Sequence, residues 1–397
     1  MSRTLNRAVL SLVFLTSVFA CTSSTEPKGP AAKALQMASS LTTLNLTDTA
    51  TLNSVVTDSL QNPISGAVVT YTSSNNTVAT VSGNRVIAHA AGDIIITGTV
   101  AGTSVTNTVP ITVRSRFARL SGRPFGIAYV SGSPGSILVS SLDVNGLTFV
   151  NAGTFAVGKL VGVSTTPSDV FVNSAGTVAY VSAVDGPNVS AVNIGSAALQ
   201  QSIADLGSAR VVLSPDGTRL YVGKNGGLDV FTVATSTMTN SFPLGTQVNG
   251  VAVSPDGATL WASEKFSGKV FRINTATMKI TDSLNVGGAP QDVVYHAASG
   301  NIYVANEYGW VDVLSGANLA STGHFNSLLG AFALRLSPDG SKLYVSASTA
   351  GQVYVVDRAT GTINRTVVVG GVPRRIVFLP DGRAAVANEF AWVDLLQ

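Results

Sequence analysis

Cysteine is nearly missing from this chain, with one residue, Cys21, in 397. No intrachain disulfide can form, so packing and hydrogen bonds must hold whatever fold the sequence adopts. A CxxCH haem attachment is impossible, and iron–sulfur ligation is disfavoured. Charge is scarce, at 11% of residues, and the net charge of +3 falls to +1 once Arg3 and Arg7 are set aside. With no basic run either, a nucleic-acid partner is not expected. Only three histidines occur, His89, His296 and His324, and the chain holds no HExxH or GxSxG. A His-rich metal site and a Ser-His-Asp triad therefore have little to build on, and no cofactor, metal or catalytic residue is expected.

What is present begins at the N-terminus. Arg3 and Arg7 precede a mostly apolar stretch of 13 residues, Ala8 to Ala20. That is too short to span a bilayer and the right length for a secretory signal. Val18-Phe19-Ala20-Cys21 resembles a bacterial lipobox, in which the cysteine becomes the acylated first residue. The resemblance implies a signal peptide over 1–20 and a lipid anchor at Cys21. Thr22 stands where an aspartate often retains such proteins at the inner membrane, so it implies an outer-membrane address, periplasmic or surface-facing. Residues 21–35, with Pro27 and Pro30 and few apolar side chains, read as a flexible tether.

Between 36 and 114 short apolar alternations recur, among them Leu52/Val55, Val69/Tyr71 and Ile94/Ile96, separated by polar or glycine turns. About seven short strands in so little chain predict a β-sandwich. Val69-Thr70-Tyr71-Thr72-Ser73-Ser74-Asn75, then Val78-Ala79-Thr80-Val81 and Ile94-Ile95-Ile96-Thr97, resemble the bacterial Ig-like domain, group 2. The resemblance implies a spacer, with direct binding as the other use of such domains.

From 115 to 397 one spacing dominates. Gly135, Gly176, Gly217, Gly257, Gly300, Gly340 and Gly382 recur at intervals of 41, 41, 40, 43, 40 and 42 residues, four of them in a Pro-Asp-Gly turn. A period near 40 with strand-like segments predicts a β-propeller of seven four-stranded blades. The turn aspartates Asp216, Asp256, Asp339 and Asp381 are explained by turn chemistry. The last repeat stops after three strands, while Phe117–Pro124 aligns with Ser283–Pro290. Residues 116–120 are thus expected to supply the missing fourth strand and close the ring. The fold class predicted is all-β, an Ig-like sandwich followed by this propeller. Leu220-Tyr221-Val222, Ile302-Tyr303-Val304-Ala305-Asn306 and Leu343-Tyr344-Val345, with Val286-Gly287-Gly288-Ala289-Pro290 and Val369-Gly370-Gly371-Val372-Pro373, resemble the YVTN family of propeller repeats. Members are mostly secreted or envelope proteins, so the resemblance is specific for fold and weak for function.

Residues placed just before the inner strands should ring the channel mouth: Phe125, Asp169, Arg210, Asn249, Gln291, Phe332, Arg374 and Arg375. Loops between second and third strands should overhang the same face, carrying Lys224, Glu264, Lys265, Phe266, Glu307, Tyr308, Glu389 and Phe390 among others. The repeat does not demand these identities. Carboxylates, cations and aromatics together suit a protein or cell-envelope polymer as partner. The expected function is non-catalytic binding or scaffolding at the envelope. The alternatives are a metal-assisted lyase or hydrolase using Asp169, Glu307 and Glu389, and an accessory part of an outer-membrane assembly.

Overall fold

The computed structural model describes residues 30–46, 48–132 and 135–396. The signal peptide, Cys21 and the first part of the tether lie outside the described residues. Among the described residues every regular element is a strand and no helix occurs. This is the outcome that abundant β-branched residues and Gly-rich turns favour.

Two four-stranded sheets come first. One is ordered Ala34–Ser39, Thr49–Thr57, Arg85–Ala88, Ala79–Ser82; the other Thr43–Asn45, Thr106–Arg114, Gly92–Val100, Val69–Ser73. Both contribute to one core of Leu44, Leu52, Val86, Ile94, Ile96 and Ile111, so they pack as two layers. Eight strands stand where about seven were expected. In Thr49–Thr57 it is Val56, not Val55, that shares the buried face with Ala50 and Leu52, because a strand repeats every second residue.

The chain then builds seven four-stranded antiparallel sheets. Six are made of four consecutive strands, beginning with the inner strands Pro124–Val130, Pro167–Val172, Ser208–Leu213, Val248–Val253, Pro290–His296 and Ala331–Leu336. The last contains Pro373–Phe378, Ala384–Asn388 and Trp392–Leu396, and its fourth strand is Arg116–Arg119. Ala118 pairs with Val393 and Arg119 with Trp392, as the sequence alignment of the two ends predicts. Each inner strand touches the next, and Pro124–Val130 touches Pro373–Phe378, which closes the circle. An apolar cluster fills each of the seven sheet-to-sheet contacts, with Leu228, Val230, Leu260 and Ile273 in one and Val345, Tyr303 and Val311 in another. A buried Val or Leu in such a layer contributes about 1.5–3 kcal/mol. The arrangement is all-β and consistent with a β-propeller.

Turns at one end of the sheets behave as their residues dictate. Asp216 accepts from the Ser214 hydroxyl at 2.5 Å and from the Thr218 backbone N–H at 3.0 Å, while Gly217 takes φ 70°. The Ser214 hydroxyl, then the Thr218 groups, hold its carboxyl below the ordinary aspartate value. The Arg114 guanidinium donates to the Val369 carbonyl at 3.4 Å and the Ser115 hydroxyl to Asp394 at 3.3 Å, which ties the first two sheets to the ring.

Closure is testable by truncation. A chain starting at Gly122 loses Arg116–Arg119 and leaves the Trp392–Leu396 edge unpaired, and should form soluble aggregates on gel filtration. One starting at Arg114 should elute as a single sharp species.

Candidate functional site at the channel mouth

Every inner strand breaks register with its neighbour directly after its first residue: after Pro124, Pro167, Ser208, Val248, Pro290, Ala331 and Pro373. A bulge at this point re-aims the second side chain. The residues expected before the inner strands thus lie inside them, in two layers. Phe125, Asn249, Gln291, Phe332 and Arg374 occupy the second position; Asp169, Arg210 and Arg375 occupy the third, one step deeper. Asp292 shares this third position, and the remaining ones are small: Gly126, Gly250 and Ala333. A Cβ on Gly126 would sit 2.7 Å from the Asp169 Cα, and one on Gly250 2.8 Å from the Asp292 Cα. Glycine is required there because the inner strands converge.

The deeper layer is an ion cluster, not an open surface. Arg210 lies 3.2 Å from Asp169 and 3.3 Å from Asp292. Arg375 reaches Asp292 at 2.9 Å and Asp169 at 3.7 Å, and Arg335 stands 3.9 Å from Asp292. Asp169 also accepts from the Val211 backbone N–H at 3.3 Å, and Asp292 from that of Leu334 at 3.1 Å. Asp169, Arg210, Asp292 and Arg375 are all buried. Burial pushes the Asp292 carboxyl up, but Arg210, Arg375 and Arg335 outweigh it and hold it below the usual range. For Arg210 burial opposes the charge, and the two aspartates outweigh burial. Desolvation, then the neighbouring Arg210 charge, lowers both Arg375 and Arg335, the latter to about 10, still well above neutral pH.

Above this cluster the mouth is organised around Arg374. Its guanidinium lies 4.9 Å from the Phe125 ring centre and 4.4 Å from that of Phe332, and the two rings meet edge to face at 5.6 Å. Cation–π contacts of this kind contribute about 0.5–2 kcal/mol each. Glu389 pairs with both Arg374 and Arg123. A polar chain continues around the rim: Asn249 donates to Gln291 at 2.6 Å, Gln291 to Glu307 at 2.5 Å, and Lys265 lies 3.6 Å from Glu307. These groups surround a cavity of about 260 Å³ lined by Arg123, Phe125, Asn249, Lys265, Gln291, Phe332, Arg374, Arg375 and Glu389, among others.

Seven of the ten sequence-predicted residues are therefore gathered here by name: Phe125, Asn249, Gln291, Phe332, Arg374, Arg375 and Glu389. Glu307 adjoins them through Gln291. Asp169 and Arg210 do not line the cavity; they lie behind the lining, in the ion cluster that includes Arg375. Asp292, Arg335, Arg123 and Lys265 complete the site and were not among the ten. Pro290-Gln291-Asp292-Val293 repeats the pattern of Pro167-Ser168-Asp169-Val170, a signal that places Asp292 beside Asp169.

The three carboxylates considered for catalysis do not converge as acid, base or ligand set. Asp169 serves Arg210, Glu389 serves Arg123 and Arg374, and Glu307 meets Gln291 and Lys265. Among the described residues no three His, Cys, Asp or Glu side chains group to hold a metal ion. His89 contacts the Thr80 hydroxyl, His296 that of Ser299, and His324 pairs with Asp312 at 3.0 Å.

The loops around the mouth are tied to the links between sheets. Lys265, Glu307 and Glu389 donate backbone N–H groups to the carbonyls of Gln247, Ala289 and Val372. Glu264 accepts from the N–H groups of Thr246, Gln247, Phe266 and Ser267. Burial pushes its carboxyl up, yet the bonds from Ser267, Gln247 and Thr246 outweigh that and bring it down to about 2. Lys224 joins Asp205 and Asp229 in a partly buried triad, where burial lifts Asp205 to about 6 against the opposing pull of Lys224.

The geometry defines a closed ring of antiparallel four-stranded sheets with a small polar mouth, the architecture of a β-propeller. No protein-family model matches the chain, and no curated protein matches it. Among solved structures it is similar to the hydrazine synthase of Kuenenia stuttgartiensis, at 22% identity and a TM-score of 0.63, covering 70% of this chain and 96% of that one. A likeness at that identity carries the fold alone, and it fits a propeller.

Two measurements check these electrostatics. Asp292→Asn leaves three arginines facing one carboxylate, and should cost about 3–5 kcal/mol in urea unfolding. Asp205 has a folded pKa near 6 and an ordinary value near 4, so it binds a proton more readily when folded. Its destabilising effect is full above pH 6 and fades as pH falls toward 4. The stability of the wild type relative to Asp205→Asn should therefore rise between pH 7.5 and 4.5, read from melting temperatures of both.

Proposed function

We propose that this chain is an envelope protein, lipid-anchored at Cys21, whose propeller recognises a protein or cell-envelope polymer through its mouth face without catalysing a reaction. In this reading the propeller is of the YVTN type with seven blades, and the first two sheets are a group 2 bacterial Ig-like spacer. The outer membrane is the address that Thr22 suggests, with the face turned to the periplasm or the exterior.

The observation that carries the reading is where the ring exposes large apolar side chains. Those not on outer strands are Leu206, Phe266, Tyr308, Leu329 and Phe390, each at least 57% exposed. All five sit on loops of the mouth face: Phe266, Tyr308 and Phe390 between second and third strands, Leu206 and Leu329 on links into inner strands. Among the described residues the turns of the opposite face expose none. Solvated loops do not select for phenylalanine and tyrosine at one end only, whereas aromatic residues around a polar centre are what recognition surfaces use. The ion-paired state of Asp169, Glu307 and Glu389 weighs against the enzyme alternative, since each already serves as the counter-charge of a cation or the acceptor of an amide.

The test is capture of envelope components by the full chain and by a Phe266→Ser/Tyr308→Ser/Phe390→Ser variant. These side chains are exposed, so the variant should keep the wild-type melting temperature while losing the captured partner. Equal capture by both would remove the mouth face as the binding surface. Charge reversal of Arg210 and Arg375 is unsuitable, because both are buried in the ion cluster.

A further inference from the structure

The cavity at the centre of the aromatic rim is short of negative charge. Arg123, Lys265, Arg374 and Arg375 line it, and the carboxylate among its lining residues is Glu389. The acids behind that lining, Asp169, Asp292 and Glu307, also serve Arg210 and Arg335. Six cations thus share four carboxylates, an excess of two positive charges. Asp143 and Asp185, on neighbouring mouth loops, line none of it. Part of this charge is withdrawn from water: the Arg375 side chain is 3% exposed and that of Arg210 5%, while those of Arg374, Lys265 and Arg123 open progressively toward the rim. The Nε groups of both arginines make no hydrogen bond, that of Arg375 lying 3.7 Å from Asp169. Buried guanidinium groups are stable when their charge and their donors are both met.

We propose that this cavity is a binding site for a compact oxyanion carrying two negative charges, such as a phosphate or a dicarboxylate. The proposal rests on the reading of the mouth as a recognition surface and names the chemistry at its centre. Arg374 presents a planar donor fork suited to carboxylate or phosphate oxygens, and Lys265 adds a point charge from the rim, while Arg375, engaged by Asp292, Asp169 and the Asn249 carbonyl, adds positive charge from beneath. Phe125 and Phe332 hold Arg374 in place, so little side-chain freedom is lost when an anion enters. About 260 Å³ admits a small anion or the anionic tip of a larger molecule, not a folded segment. Free anion and anionic tip are the two sources of this one chemistry.

The test is titration of the full chain with inorganic phosphate and, separately, with succinate, read by calorimetry and by melting temperature against sodium chloride of matched ionic strength. Saturable binding at one site is expected, with a rise in melting temperature beyond the chloride control. Arg374→Gln should weaken it about tenfold or more, the scale of one lost charge-assisted contact. Lys265→Gln, at a part-exposed position, decides the matter if Arg374→Gln fails to fold. No response above chloride, or unchanged affinity in the folded variants, overturns the proposal. The aromatic-rim variant separates the two claims: it should still bind phosphate or succinate while losing the macromolecular partner. Lost anion binding with rim-dependent capture intact overturns the anion site and leaves the recognition surface standing. A partner captured by the wild type and displaced by millimolar phosphate identifies the anionic tip as the natural source.

Discussion

Convergence of the inner strands on one axis is the constraint from which the rest of this structure follows. Sheets that pack face to face can be apolar on both sides, and seven apolar clusters fill those contacts. At the axis no such solution exists, because the strand edges crowd together. Gly126 and Gly250 are there because a Cβ would meet the neighbouring strand's backbone at under 3 Å. The space so freed is taken by Asp169, Arg210, Asp292 and Arg375, long or charged side chains whose opposite signs let them interlock. Such a cluster is weak evidence for stability, since desolvating each ion offsets much of the attraction. Its value is registry: Arg210 reaches two aspartates on two other sheets, and Arg375 does the same, so the relative position of four sheets is fixed by directional contacts.

Large parts of this arrangement were legible in the sequence, for physical reasons. A turn that needs positive φ advertises itself through glycine, and repetition of that turn gives the period. The missing strand could be found because the two ends of the chain carry complementary halves of one repeat. What escaped was the fine register. Inner-strand residues one position apart face different surroundings, and the bulge that assigns them leaves no mark of its own on composition. Read from sequence alone, Asp169 and Gln291 occupy equivalent positions, although Gln291 lines the cavity and its neighbour Asp292 is the true counterpart of Asp169. The same one-residue ambiguity exchanged Val55 for Val56 in Thr49–Thr57.

Sequence also conveys little about charge balance within a site, because pairing is set by three-dimensional distance. Arg335 lies 43 residues from Asp292 in the chain and yet 3.9 Å from it in the fold. Glu389 and Arg123 stand at opposite ends of the ring segment and are brought together only by closure. The strand Arg116–Arg119 consequently does more than seal a sheet edge. It delivers Arg123 and Phe125 to the mouth, so the residues that make the site and the pairing that makes the ring belong to the same few residues.

Rigidity links this architecture to the recognition role we propose for it. The mouth loops are short, and each is bonded to an inter-sheet link through its own backbone. Glu264 binds four N–H groups of its loop and the adjacent link, and those bonds hold its carboxyl near pH 2, so they persist throughout the physiological range. Arg374 is fixed between two rings and a carboxylate. A surface already ordered in this way loses little conformational entropy on association, so a modest contact area can still give specific binding. The same stiffness limits the choice of partner. Because neither the loops nor the ion cluster can move without breaking several charged contacts at once, a partner of the proposed surface would have to bring the complementary shape and the complementary charge to a mouth that does not remodel itself around a poor fit.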